Sequence, residues 1–133
     1  MKVLKVLILL LLVKTSYGQT YKTFVKNFNV ESYNEIICDL PGDLKIEIWD
    51  NPNCQIVLGV KIKTEKESIV DYLIKQNRYT INIEDDVIET KISLPNTKNV
   101  IIVNGKDMEE DFISIIRIPK NVYVSKNKET LFQ

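Results

Sequence analysis

The sequence predicts an all-β fold, a curled β-sandwich or short β-solenoid carrying one short capping helix. Three observations predict it. Apolar and polar residues alternate with a period of two through most of the chain, as in Leu44-Lys45-Ile46-Glu47-Ile48, the pattern of a strand with one wet face. An aliphatic residue followed by Pro, a short polar turn and a new alternating run occurs three times, at Leu40-Pro41, Leu94-Pro95 and Ile118-Pro119. Only one segment departs from this rhythm into helical spacing.

The first 18 residues are read apart from the fold. Lys2 and Lys5 make a basic start, residues 6–13 are uniformly apolar, and Ser16 and Gly18 put small residues where a signal peptidase needs them. An eight-residue apolar core is far shorter than the roughly 20 residues that span a bilayer. Residues 1–18 are therefore expected to be a cleaved secretory signal, with the protein exported to the periplasm, cell surface or extracellular space. No transmembrane segment is expected in the mature chain. Residues 19–124 are expected to form a single β-rich domain, and residues 125–133 a polar C-terminal tail.

Strands are expected at 25–30, 35–40, 44–48, 56–62, 79–84, 88–94, 100–103, 112–118 and 122–124, rich in the β-branched residues that suit a pleated surface. On this pattern Leu44, Ile46 and Ile48 share a buried face, as do Ile56, Leu58, Val60 and Ile62. The helix is expected over residues 65–76. Thr64 and Glu67 resemble a capping box, Ile69, Tyr72 and Leu73 recur at helical spacing with Val70 and Ile74 widening the stripe, and Asn77 is a stop. It is expected to lie across an edge or open end of the β core. Pro41-Gly42 fits the centre of a type II turn, which splays its flanking strands, so the three Pro segments are read as corners between sheets or rungs.

Composition narrows the chemistry. The chain has no histidine, which removes the usual general base and the commonest transition-metal ligand. Its formal neutrality hides an imbalance: Lys2, Lys5 and Lys14 lie in the leader, which has no acid, leaving 15 basic and 18 acidic residues in the mature chain, a net of about −3. Without a concentrated basic footprint nucleic acid is not expected as a partner. No phosphate loop, dinucleotide fingerprint or nucleophile elbow is present, so no cofactor, no catalytic residue and no metal site is expected.

Four features remain as candidates. Cys38 and Cys54 enclose a loop of about 15 residues, whose closure as a disulfide would contribute on the order of 3 kcal/mol; the other reading is two buried free thiols. Trp49, the only tryptophan, is either a ligand contact that stacks on a sugar or anchors a partner, or an aromatic packed under the adjoining turn. Tyr33, Tyr79 and Tyr123 are read as strand aromatics. The acidic runs Glu84-Asp85-Asp86 and Asp107-Met108-Glu109-Glu110-Asp111 are read as solvated turns, the alternative being a calcium site or a pair of carboxylates flanking a glycosidic bond.

The run Asn29-Val30-Glu31-Ser32-Tyr33-Asn34-Glu35-Ile36 leads into Ile37-Cys38-Asp39-Leu40-Pro41-Gly42-Asp43-Leu44. Later come Ile92-Ser93-Leu94-Pro95 and Ile116-Arg117-Ile118-Pro119-Lys120-Asn121-Val122-Tyr123-Val124. Together these resemble the head-GIN auto-transporter adhesin domains exported by Bacteroidetes-type bacteria, over roughly residues 28–124. Such domains usually continue into further Gly-rich rungs past the point where this sequence reaches Gln133. The resemblance implies a β-rich, solenoid-like fold and a secreted, non-catalytic, adhesin-like interaction protein of unknown ligand, with a surface or envelope protein or glycan as partner. It brings no catalytic residues. The alternative is a small carbohydrate-active hydrolase or carbohydrate-binding module using acidic residues and Trp49. A third reading is a structural envelope component whose strand edges pair with a partner chain.

Overall fold

The computed structural model describes residues 18–30, 35–64 and 66–126; nearly all of the expected leader, Tyr33 and most of the expected tail lie outside them. Among the described residues the fold is all-β with one short helix. Sheet A has the order β1-β4-β9-β3 and sheet B the order β10-β2-β6-β5, with a two-stranded ribbon β7-β8 beside them. Sheet A is built from β1 (Thr20–Phe28), β3 (Asp43–Ile48), β4 (Cys54–Ile62) and β9 (Glu110–Ile118). Sheet B contains β2 (Glu35–Asp39), β5 (Asn82–Asp85), β6 (Glu89–Ser93) and β10 (Tyr123–Lys126).

The two sheets pack face to face over one core. Ile56, Leu58, Val60 and Ile62 of β4 and Ile116 and Ile118 of β9 meet Ile36 and Cys38 of β2 and Ile92 of β6, all of them buried. This is the alternation of β4 and β9 made physical: residues two apart share a face, and that face is removed from water at roughly 25 cal/mol per Å². β2 is central and runs parallel to both its neighbours. It buries Ile36, Ile37 and Cys38 in succession, as strands flanked on both sides commonly do.

The Pro segments are corners between sheets. Leu40-Pro41-Gly42 carries the chain from β2 in sheet B to β3 in sheet A, and Pro119 to Val122 carries it from β9 in sheet A to β10 in sheet B. Pro95–Lys98 forms a short 3-10 turn leading from β6 to the ribbon β7 (Ile102–Val103) and β8 (Lys106–Asp107). Gly42 has φ +78°, and a Cβ there would stand 2.0 Å from the Phe112 carbonyl oxygen, so only glycine makes this corner. Asn104 and Gly105, both at positive φ, turn the ribbon, as an Asn-Gly pair does in a tight hairpin.

Helix α1 (Glu67–Lys75) is shorter than expected, and its start is different. Its N-cap is Lys66, two residues downstream of the expected Thr64, with no side-chain cap; Thr64 Oγ1 instead accepts the Lys66 N–H at 3.2 Å. Its end follows the Schellman pattern: Asn77 at φ +60°, its N–H on the Ile74 carbonyl, and the Arg78 N–H on the Leu73 carbonyl. Val70 and Leu73 sink into the core. The chain leaving α1 then seals one side of the sandwich, stacking Tyr79 on Phe24 of β1 (ring centroids 5.5 Å apart) and receiving the Lys26 ammonium on the Ile81 carbonyl at 3.1 Å.

Three strand expectations are corrected. β1 begins at Thr20, well before residue 25. Tyr79 sits in the turn after α1 and not in a strand, although it is buried. β10 extends through Lys126, so the first two residues of the expected tail belong to the sheet.

Candidate binding surface

The outer face of sheet A carries a second apolar set. Outward positions on β1, β4 and β9 come into line across the sheet through the registers Val25↔Val57↔Ile115 and Thr23↔Gly59↔Ile113. Val25 and Ile113 are more than half exposed, and Val57 and Ile115 partly so. Gly59 leaves the gap that Ile113 leans over: a Cβ there would lie 3.1 Å from Ile113 Cγ2. The result is an aliphatic stripe across three strands of a sheet face.

Polar rows flank the stripe. On one side Asn27, Gln55, Arg117 and Glu47 form a chain across all four strands. Gln55 Nε2 donates to Asn27 Oδ1 at 3.0 Å, an Arg117 guanidinium N–H donates to Gln55 Oε1 at 2.7 Å, and the same guanidinium reaches Glu47 at 3.8 Å. On the other side Tyr21, 69% exposed, lies beneath the Lys61 ammonium, 5.9 Å from its ring centroid, a weak cation–π contact at the surface. In register with Lys61 stands Asp111. An apolar centre with aromatic and arginine groups at a hydrogen-bonding rim is the anatomy of a contact surface. The signal was in the sequence: both 56–60 and 112–116 carry aliphatics at both parities, so each strand has an apolar residue to spare for the wet face.

Trp49 follows β3, at the end of the Glu47 row. It is half-buried, its main-chain N–H donates to the Ile118 carbonyl at 2.9 Å, and its indole N–H donates to the Asn53 carbonyl at 2.9 Å. It is thereby tied to its own turn and stands apart from the aliphatic stripe. Cys38 and Cys54 are free, buried thiols on different sheets, so the disulfide reading is not realised in this structure. Burial pushes the Cys38 thiol up to about 12 and Cys54 to about 11, because a thiolate there would lack water. Of the tyrosines read as strand aromatics, Tyr123 lies on β10 and is 76% exposed.

The acidic runs are dispersed among separate tasks. Asp85 accepts the Thr90 hydroxyl at 3.0 Å and Asp86 accepts the Val87 N–H at 2.7 Å, building the turn between β5 and β6. Glu109 pairs with Lys63 at 2.9 Å on the surface. Among the described residues no three acidic or cysteine side chains converge on a metal position.

Glu110 does something sequence reasoning did not anticipate. Its side chain is buried against Arg78 (7% and 6% exposed) in a two-pronged ion pair, with Nη2 to Oε1 at 2.5 Å and Nε to Oε2 at 3.1 Å. The Tyr79 hydroxyl donates to the same carboxylate. Arg78 Nη1 also donates to the Asn96 and Asn99 carbonyls at 3.1 and 2.9 Å. Burial and the hydrogen bond to Glu110 hold the Tyr79 hydroxyl protonated well above its ordinary range. One guanidinium thus joins the end of α1, the 3-10 turn and β9, with four of its five N–H donors on protein acceptors. This is a structural clasp between three elements of one chain.

No family model matches the chain, and no curated protein matches it. Among solved structures the chain is similar to a putative adhesin from Parabacteroides distasonis, with 18% identity and a TM-score of 0.35, over 79% of this chain. The matched part is 40% of that protein's chain. At this similarity, function has to be read from the surface itself.

Proposed function

We propose that the protein is an exported, non-catalytic, adhesin-like binding protein that meets a surface or envelope component, protein or glycan, through the outer face of sheet A. The observation that carries this reading is the exposed aliphatic stripe of Val25, Val57, Ile113 and Ile115, framed by the Asn27-Gln55-Arg117-Glu47 row and by Tyr21 over Lys61. Exposed apolar residues in line across strands are expensive unless a partner covers them. The absence of histidine and the occupied state of the buried Arg78–Glu110 pair favour recognition over catalysis. The test is binding to a panel of immobilised surface glycans and envelope proteins. The native protein is expected to bind at least one member, and Val25→Lys with Ile113→Lys is expected to weaken that binding tenfold or more with the thermal midpoint unchanged. Retained binding by the double variant would place the contact elsewhere; turnover of a polysaccharide or peptide would refute the non-catalytic reading.

A further inference from the structure

The four outer edges of the two sheets are not alike. β1 turns Lys22 and Lys26 toward the inner side, in register with the buried Val60 and Ile56, and inward-pointing lysines are a common guard against edge pairing. β5 and β10 are four residues long, with Glu84 and Asp85 on one and Lys126 on the other. β3 is longer, with six residues, and its charges Asp43, Lys45 and Glu47 all lie on the outer face, so no charge points inward. Its inward positions Leu44, Ile46 and Ile48 lie in register with Ser114, Ile116 and Ile118, yet Ile46 is 47% and Ile48 63% exposed because nothing among the described residues covers them.

The free edge of β3 also has its hydrogen-bonding groups in a definite order. Trp49 N–H donates to the Ile118 carbonyl. By the alternation of a strand, the main-chain groups of Glu47 and Lys45 also face β9, and those of Leu44, Ile46 and Ile48 face outward. An antiparallel partner strand must pair with those three.

We propose that β3 pairs with β3 of a second copy, antiparallel and centred on Ile46, around a two-fold axis perpendicular to sheet A. Ile46 then exchanges both main-chain hydrogen bonds with Ile46 of the second copy. On the inner face, Leu44 meets Ile48 of that copy twice over. On the outer face, Lys45 of each copy stands opposite Glu47 of the other. Charge selects this register. A shift of the centre to residue 45 would oppose two lysines, and a shift to residue 47 would oppose two glutamates, each a destabilising pair. The sequence Leu44-Lys45-Ile46-Glu47-Ile48 is therefore self-complementary about its middle residue, as an isologous contact requires. The contact makes one eight-stranded sheet from two copies of sheet A and sets their outer faces side by side. It goes beyond the binding role assigned to that face and does not depend on it.

Sedimentation equilibrium of the native protein is expected to show a reversible, concentration-dependent dimer. Lys45→Glu and Glu47→Lys, each alone, set like charges opposite one another twice and are expected to weaken the dimer about tenfold or more. The two single variants mixed together restore both ion pairs, so the mixture is expected to associate where neither variant does alone. The Lys45→Glu/Glu47→Lys double variant is expected to dimerise like the native chain. Circular dichroism of each variant confirms that it folds, these side chains being at the surface. A native protein that stays monomeric at all concentrations overturns the proposal, as it would if the chain's own residues 127–133 or another partner occupied the edge. A dimer indifferent to both single variants, or a mixture that fails to associate, overturns it as well. A monomer that still binds its ligand sinks the pairing and leaves the proposed function standing.

Discussion

The two long sides of this sandwich are finished in different ways. On the β1/β5 side, α1 and the turn behind it cover the gap between sheets, with Tyr79 stacked on Phe24, Lys26 bonded across to Ile81, and Arg78 clasping β9. Among the described residues the β3/β10 side has two Pro corners and one exposed bond across it, Lys126 Nζ to the Gly42 carbonyl at 3.2 Å. One side is closed by a buried polar network inside a single chain. The other leaves Ile46 and Ile48 in water. The lesson is that a small β domain can concentrate its specific, costly interactions where the chain inserts a helix and leave the opposite edge available for pairing.

Breaking the closed side is expected to have the largest effect. Arg78→Ala strips the buried Glu110 of its counter-charge and leaves the Asn96 and Asn99 carbonyls without their donor. Loss of one partner of a buried pair costs about 3–5 kcal/mol, which urea denaturation would read directly. Arg78→Met combined with Glu110→Leu removes both charges and is expected to recover part of that loss; a double variant worse than Arg78→Ala would show that the clasp is stabilising in itself. On the open side the comparable weak point is a corner. Gly42→Ala forces a side chain into a left-handed conformation and onto the Phe112 carbonyl. Strain of this kind costs about 1–3 kcal/mol before the clash is counted, so this variant is expected to be the next most damaging.

The core between the two sides has a pH signature. Burial pushes the Cys38 and Cys54 thiols of the folded protein up to about 12 and about 11, against an ordinary value of 9.0. A raised folded value means that the contribution of these thiols to stability is intact below pH 9.0 and drains away as pH rises toward 11–12, because the unfolded chain releases those protons first. Denaturation midpoints are expected to fall steeply over that window, and less so in a Cys38→Val/Cys54→Val variant. Thiol titration at pH 8 is expected to find no reactive cysteine in the folded protein and two in denaturant. A count of zero in denaturant would mean that the two had formed a disulfide.

The halves of the molecule were unequally legible. β4 and the second half of β9 could be read from the sequence because their alternation coincides with full burial on one face, and the Pro corners because ring chemistry and Gly42 dictate a local turn whatever surrounds it. β1 was read only from residue 25 because Lys22 and Lys26 occupy inward positions and interrupt the apolar pattern. Conversely, the clean alternation of β3 promised a buried face that its edge position does not supply. Period two reports which residues share a face; it does not report whether another sheet lies over that face. The Arg78–Glu110–Tyr79 cluster was invisible for the same reason: 31 or 32 residues separate the acid from its partners, and nothing local marks Glu110 apart from its acidic neighbours.

Ser114 offers the smallest and most pointed test of the contrast. It lies on β9 between Leu44 of the open edge and Leu58 of the core, fully buried, and its hydroxyl has no hydrogen-bond partner among the described residues. On the closed side every polar atom of Arg78 that is buried has found an acceptor; here, one strand from the edge, a hydroxyl has none. Burying an unpaired hydroxyl costs about 1–3 kcal/mol, whereas alanine at the same place removes the group at the expense of a small void. Ser114→Ala is therefore expected to stabilise the protein by about 1 kcal/mol, an unusual sign for a core truncation. Thermal unfolding decides it. A loss of stability would mean that the hydroxyl is satisfied in solution, by a water held between β3 and β9 or by a partner at the β3 edge, and the open side would then be better finished than its geometry suggests.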